Sequence, residues 1–225
     1  MVDQPTGRQH LASGDGGSVE SRALSPLSAT AVMGEAGRQV LRSLALLVVV
    51  GGSLFAVPGP DGLFGALLGS LMLAIAIVDA GHFLIPNQLT GAALALGLLR
   101  AGAIGPDAGW AAVLWVAFRA LAIAVPLLAL MAFYRRWRGR DGLGMGDVKL
   151  AAVAGAWLVF VTIAAVIELA AISGLAAYGI NAALRGRRLR GTAFLPFGLF
   201  LAPSIWIGWL AEALLPQRLF DAFWY

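Results

Sequence analysis

What most constrains this chain is a succession of apolar runs, each about as long as a bilayer is thick. A helix needs roughly 20 apolar residues, range about 17–25, to cross a hydrocarbon core of about 30 Å. Runs of that kind lie at about 41–57, 63–79, 88–104, 111–134 and 194–215. A further stretch, 148 to 184, is too long for one crossing. It divides into a short helix of about 148–160 and a longer one of about 161–184, with Gly155 and Gly174 as candidate breaks. Pro58-Gly59-Pro60-Asp61-Gly62 and Gly105-Pro106-Asp107 supply turn residues between runs. Hydrophobic residues make up 60% of the chain and charged residues 12%, against about 25% charged in ordinary globular proteins. Too few polar side chains remain to clothe a soluble fold. The expected fold class is therefore all-α, a polytopic integral membrane protein with six to seven transmembrane helices.

Residues 1–37 are of another kind. Gly14-Asp15-Gly16-Gly17-Ser18 and its Ser, Pro and Arg neighbours show no apolar period, which predicts a polar, disordered cytoplasmic tail ahead of a membrane domain at 38–225. The first apolar run starts too far along the chain for a short cleaved signal peptide, so the first helix is expected to act as an uncleaved anchor.

Lys and Arg number 16 and Asp and Glu 12, a net charge of +4. Placement decides what that excess means. Arg38 and Arg42 precede the first run, Arg135, Arg136, Arg138 and Arg140 follow the fourth, and Arg185, Arg187, Arg188 and Arg190 follow the sixth. Alternating crossings put all three clusters on one side and leave Arg100 and Arg218 near the other. Cytoplasmic loops carry the basic excess, so the N-terminus is predicted to be cytoplasmic. The positive charge reads as topology and as attraction to membrane lipid headgroups, with no nucleic-acid partner. With no cysteine in the chain, disulfides, thiolate nucleophiles and Cys-based metal sites are ruled out. No His, Glu or Cys stands at metal spacing beside His82, so neither a metal nor a cofactor is expected.

Acids near the spans are scarce. Asp79 ends the second run in Ile77-Val78-Asp79-Ala80-Gly81-His82, and Asp147 sits in Gly144-Met145-Gly146-Asp147-Val148-Lys149-Leu150, where the chain re-enters the membrane from the same side. Two carboxylates brought close can share one proton, because like charges a few Å apart do not both ionise easily. One then acts as base toward a water while its protonated partner polarises a peptide carbonyl. Gly144 and Gly146 are expected to let the backbone bend and a peptide approach. Pro86 disfavours helix at Ile85, and that break is expected to expose Asp79 beside a turn. Asn87 or Thr90 would cap the next helix.

These strings resemble a known family. Asp79-Ala80-Gly81-His82-Phe83-Leu84-Ile85-Pro86-Asn87-Gln88-Leu89-Thr90 is similar to the first aspartate motif of the type IV prepilin peptidases. Gly144-Met145-Gly146-Asp147-Val148-Lys149-Leu150 resembles their GxGD motif, and Pro196-Phe197-Gly198 their Pro-Phe-Gly segment. The resemblance covers roughly residues 60–205. It implies an intramembrane aspartic endopeptidase that removes the basic leader of prepilin or pseudopilin substrates at the cytoplasmic face of the bacterial inner membrane, cutting after a Gly with a Glu shortly beyond. It makes Asp79 and Asp147 the catalytic pair, with Gly144, Gly146, Pro86, Asn87 and Lys149 as substrate-binding or loop-shaping residues. The absence of cysteine matches the shorter, peptidase-only form of Flp/Tad-like systems.

Four further expectations concern residues other than the two aspartates. Lys149 is expected to reach headgroups, and His82 to be an interfacial polar residue. Glu168, an acid inside a span, is expected to pair with Arg119 of the fourth span, since intramembrane charges usually pair. Trp110, Trp115, Trp206, Trp209 and Trp224 fit an interfacial aromatic belt. Two rival functions remain: another GxGD protease, from which Val78 in place of a Tyr before Asp79 argues away, and a small transporter using Glu168 and Arg119.

Overall fold

The computed structural model describes residues 26–105, 107–138, 144–184 and 196–215. Among them are seven helices and no strand: α1 (Pro26–Ala56), α2 (Pro60–His82), α3 (Asn87–Ala103), α4 (Trp110–Arg138), α5 (Met145–Trp157), α6 (Phe160–Leu184) and α7 (Phe197–Leu214). Five of these (α1 from Gly34, α2, α4, α6 and α7) are long and apolar enough to cross a membrane. At about 1.5 Å per residue, the 17 residues of α3 and 13 of α5 reach only about 26 and 20 Å. The chain is an all-α, multi-pass membrane protein.

Two compact units divide the chain, Met1–Leu41 and Arg42–Tyr225. Within the first, α1 is already helical from Pro26, inside the stretch read as a polar tail. The second contains everything that follows. Here α2 and α6 both pack along α7, α4 runs beside α5, and α3 bridges α2, α4 and α5.

Lipid tails offer helices no hydrophobic drive to associate, so close van der Waals fit must hold the bundle. Leu68, Met72 and Ile75 of α2 meet Leu150, Val153 and Trp157 of α5 in one core with Ile205 and Trp209 of α7. Small residues receive the indoles: Gly65 lies against the Trp209 ring and Gly97 against Trp157. The Trp157 indole N–H also donates to the Ala93 carbonyl at 2.9 Å, which fastens α5 to α3. Trp209 is thus core, 1% exposed, and Trp206 is half-buried with its N–H on the Ser53 hydroxyl at 2.9 Å. Of the belt expected from the sequence, Trp110 and Trp115 stand exposed, as does Trp137 in the last turn of α4. Trp224 lies outside the described residues, as do Arg140, Arg185, Arg187, Arg188, Arg190 and Arg218.

The long apolar run breaks at Leu158-Val159, and at neither of the two glycines expected. Gly155 and Gly174 are both inside helices. Gly155 is where α5 comes closest to α4: an added Cβ would lie 2.9 Å from the Ala120 Cα. Glycine here permits close packing.

Candidate functional site

α2 ends because Phe83 turns left-handed (φ 52°, ψ 37°), its N–H closing on the Asp79 carbonyl at 2.9 Å. Non-helical residues follow to Pro86, whose φ of −66° and ψ of 133° lead into α3 at Asn87. Neither expected cap forms. The Thr90 hydroxyl donates back to the carbonyls of Pro86 (3.2 Å) and Asn87 (3.1 Å), and no side chain caps the start of α3.

Asp79 occupies the last turn of α2 and is only 4% exposed. The expected exposure beside a turn is overturned, because the start of α7 covers it. The Leu199 N–H donates to Asp79 Oδ2 at 2.8 Å. Pro196 offers no side-chain cap to α7, and the first amides of a helix lack partners within the helix. A carboxylate from another helix fills that role, its charge matching the positive end of the α7 dipole. Gly198 makes the approach possible, since an added Cβ would sit 2.9 Å from Asp79 Oδ2 and 2.8 Å from Ile85 Cδ1.

Asp147 lies half-buried in the first turn of α5, outside the five spanning helices. Gly144 precedes that helix in an extended conformation open to any residue (φ −73°, ψ 138°), so its glycine serves no sharp bend. The Asp147 amide donates to the Gly144 carbonyl at 3.1 Å, and an added Cβ on Gly144 would meet Asp147 Oδ2 at 3.3 Å. Burial pushes the Asp147 carboxyl above the ordinary range for Asp, and the charge of Asp79 pushes it the same way. The Gly144 amide opposes both.

Ile85 joins the two halves. Its side chain lies 2.8 Å from where a Cβ would stand on Gly146 of α5, and equally close to the same position on Gly198 of α7. Three segments far apart in sequence therefore meet: Asp79 to Thr90, Gly144 to Leu150, and the start of α7. Lys149 lies here too. Its ammonium donates to the Asn87 side-chain oxygen and ties α5 to the start of α3, instead of reaching out to headgroups. Pro86 stands at the start of α3, and His82 is exposed.

The expected Glu168–Arg119 pair does not exist. Glu168 is exposed on α6. Arg119 donates instead to the carbonyls of Gly155 (2.6 Å) and Ala156 (3.3 Å), and the acid near it is Glu212 of α7. Lone-span acids signal a site by rule, and Glu212, in Leu210-Ala211-Glu212-Ala213-Leu214, carried that signal as clearly as Glu168. The Leu199 N–H and the Ile85 wedge carried none, being a backbone group and an ordinary aliphatic residue.

Chemically, two carboxyls with interacting charges stand at one end of the bundle, one fully buried under a helix terminus and one half-buried. Comparison with known proteins bears on what such a pair does. Residues 66–180 match the type IV leader peptidase family. The chain is 35% identical over 177 residues to a prepilin leader peptidase/N-methyltransferase of Burkholderia pseudomallei, covering 73% of this chain and 52% of that protein. It is 34% identical over 157 residues to leader peptidase HopD of Escherichia coli, covering 69% of this chain and 96% of that protein. An Aeromonas salmonicida prepilin leader peptidase/N-methyltransferase is 33% identical over 170 residues, at 76% and 56%. The chain thus spans about half the length of the two-activity relatives. No solved structure matches it.

Proposed function

The chain belongs to the type IV leader peptidase family, and from that premise we propose that it is an aspartic endopeptidase removing the basic leader of prepilin or pseudopilin substrates. The observation that carries this reading is the meeting of the Asp79 and Asp147 segments around Ile85, whose side chain lies against Gly146 and against Gly198, itself in contact with Asp79. Asp147, with its raised pKa, is the group suited to hold the shared proton. Asp79 then takes a proton from water as the water oxygen bonds to the scissile carbonyl carbon, and Asp147 gives its proton to the carbonyl oxygen. The gem-diol so formed collapses: its C–N bond breaks, the amine nitrogen takes the proton from Asp79, and a hydroxyl proton returns to Asp147. Neither a metal nor a covalent intermediate enters.

The active site faces the cytoplasm of the bacterial inner membrane in this reading. Arg135, Arg136 and Arg138 stand exposed at the end of α4 on the side where α5 begins, as the basic bias of cytoplasmic ends requires. They face anionic membrane lipid. Cleavage of a prepilin leader peptide, compared with a generic type II membrane span, tests the substrate. Purified Asp79→Asn and Asp147→Asn proteins are expected to be inert; full cleavage by either would falsify the mechanism.

A further inference from the structure

A pair of opposite charges, Arg119 and Glu212, lies at the far ends of α5 and α7 from the aspartates. α5 stops at Trp157 and α6 starts at Phe160, with Leu158 fully buried between them. Every backbone group freed by a break at membrane depth must find a partner within the protein. Leu158 N–H takes the Ala154 carbonyl at 2.8 Å. The next two carbonyls go to another helix: Arg119 of α4 donates from Nε to Gly155 (2.6 Å) and from Nη2 to Ala156 (3.3 Å). On the other side of the break, the Val159 N–H donates to Glu212 Oε1 of α7 at 2.8 Å. A cation closes the carbonyl end of α5 and an anion the amide end of α6, each of the sign that its helix terminus favours. The two side chains also attract each other.

We propose that Arg119 and Glu212 are positioning residues that set the depth of α5 against α7, and through it the separation of Asp147 from Asp79. The proposal rests on the aspartic-peptidase reading. α5 carries Asp147 in its first turn and the Arg119-bound carbonyls in its last. α7 carries the Leu199 amide that holds Asp79 in its first turn, and Glu212 in its last. Both helices are thus held at each end, once at the aspartates and once at the break. A helix is stiff along its axis, so a slip at one end reaches the other at about 1.5 Å per residue. Misplacement by about 1 Å is enough to cost roughly 100-fold in rate. Arg100 strengthens the same end: it pairs with Asp61 (Nε to Oδ1 2.5 Å, Nη2 to Oδ2 3.1 Å), and its guanidinium lies 5.6 Å from the ring of Trp157, the last residue of α5.

The experiment uses the absence of cysteine from the sequence. Full-length Asp79→Cys/Asp147→Cys protein in lipid vesicles is cross-linked with bifunctional thiol reagents of graded length, alone and combined with Arg119→Gln, Arg119→Lys or Glu212→Gln. In parallel, kcat and KM for a leader peptide are measured in otherwise unaltered chains. Arg119→Gln is expected to lower kcat roughly 10- to 100-fold with KM within about twofold, and to shift cross-linking to longer reagents. Arg119→Lys, which holds one carbonyl where Arg holds two, falls between. Glu212→Gln keeps an acceptor for Val159 and loses only a few-fold. The exchange Arg119→Glu/Glu212→Arg sets the wrong charge at both helix ends and stays as poor as Arg119→Gln. Restoration by that exchange would show a simple ion pair and overturn the proposal. An unshifted cross-linking profile in Arg119→Gln, or in Arg119→Lys should the Gln variant not fold, overturns it as well. The cross-linking result stands even if the parent chain cleaves no leader, so this inference and the activity fail separately.

Discussion

Asp79 and Asp147 are chemically alike and differ in surroundings. Asp79 is sealed by the start of α7, whereas Asp147 remains half-open at the start of α5. Because the Asp147 pKa is raised in the fold, ionising it works against folding. Stability falls as pH climbs from the unfolded carboxylate value, about 3.9, through the folded one, and stays lower above it. Asp147→Asn removes that loss, so at pH 7 its thermal midpoint is expected to equal or exceed that of the parent while cleavage is lost. With the Asp carboxyls 13C-labelled, Asp79→Asn is expected to bring the Asp147 titration midpoint down part of the way, burial being the larger cause. A midpoint that did not move would deny that the two charges interact. Gly198→Ala is a second prediction at this scale. The methyl would press on Asp79 Oδ2 and Ile85 Cδ1, costing about 1–3 kcal/mol and at least tenfold in kcat by turning Asp79 off its donor. A variant with full activity and an unchanged melting temperature would sink that account.

Where helices stop decides where the two aspartates sit. α2 stops at a left-handed Phe83, a conformation that costs a residue with a side chain roughly 1–2 kcal/mol. Phe83 is exposed, so Phe83→Gly is expected to relieve strain with little packing lost and to raise thermal stability by about 1 kcal/mol or less, Gly's own flexibility offsetting part of the gain. A drop in melting temperature would instead point to a packing role for the ring. α5 stops and α6 starts where α4 supplies a partner for the freed carbonyls of the one and α7 for the freed amide of the other. That explains why glycine was a poor guide to the break: in this bundle Gly155 and Gly146 let neighbours come close, and helix ends follow from available hydrogen-bond partners. Trp157→Phe is expected to lose the bond to Ala93, whose carbonyl keeps its partner within α3, at a cost of about 0.5–1.5 kcal/mol read as a lower melting temperature.

Across the bundle, the exposed His82 beside Asp79 gives a direct probe of orientation. In a chain without cysteine, His82→Cys should react with a membrane-impermeant thiol reagent in inverted vesicles and not in intact spheroplasts. The reverse pattern would place the site on the opposite face. The number of helices, their rough limits and the shared end of the two aspartates were legible in the amino-acid order, because length and hydropathy are local properties and a lipid solvent leaves few alternatives. Partners were not legible. Arg119 goes to two carbonyls and not to Glu168, Lys149 to Asn87 and not to lipid, and Asp79 to an amide 120 positions away. Each choice depends on which helix faces which neighbour and at what depth. Those distances arise only when side chains such as Ile85 and Trp157 meet the glycines that admit them, and nothing local to either residue encodes the meeting.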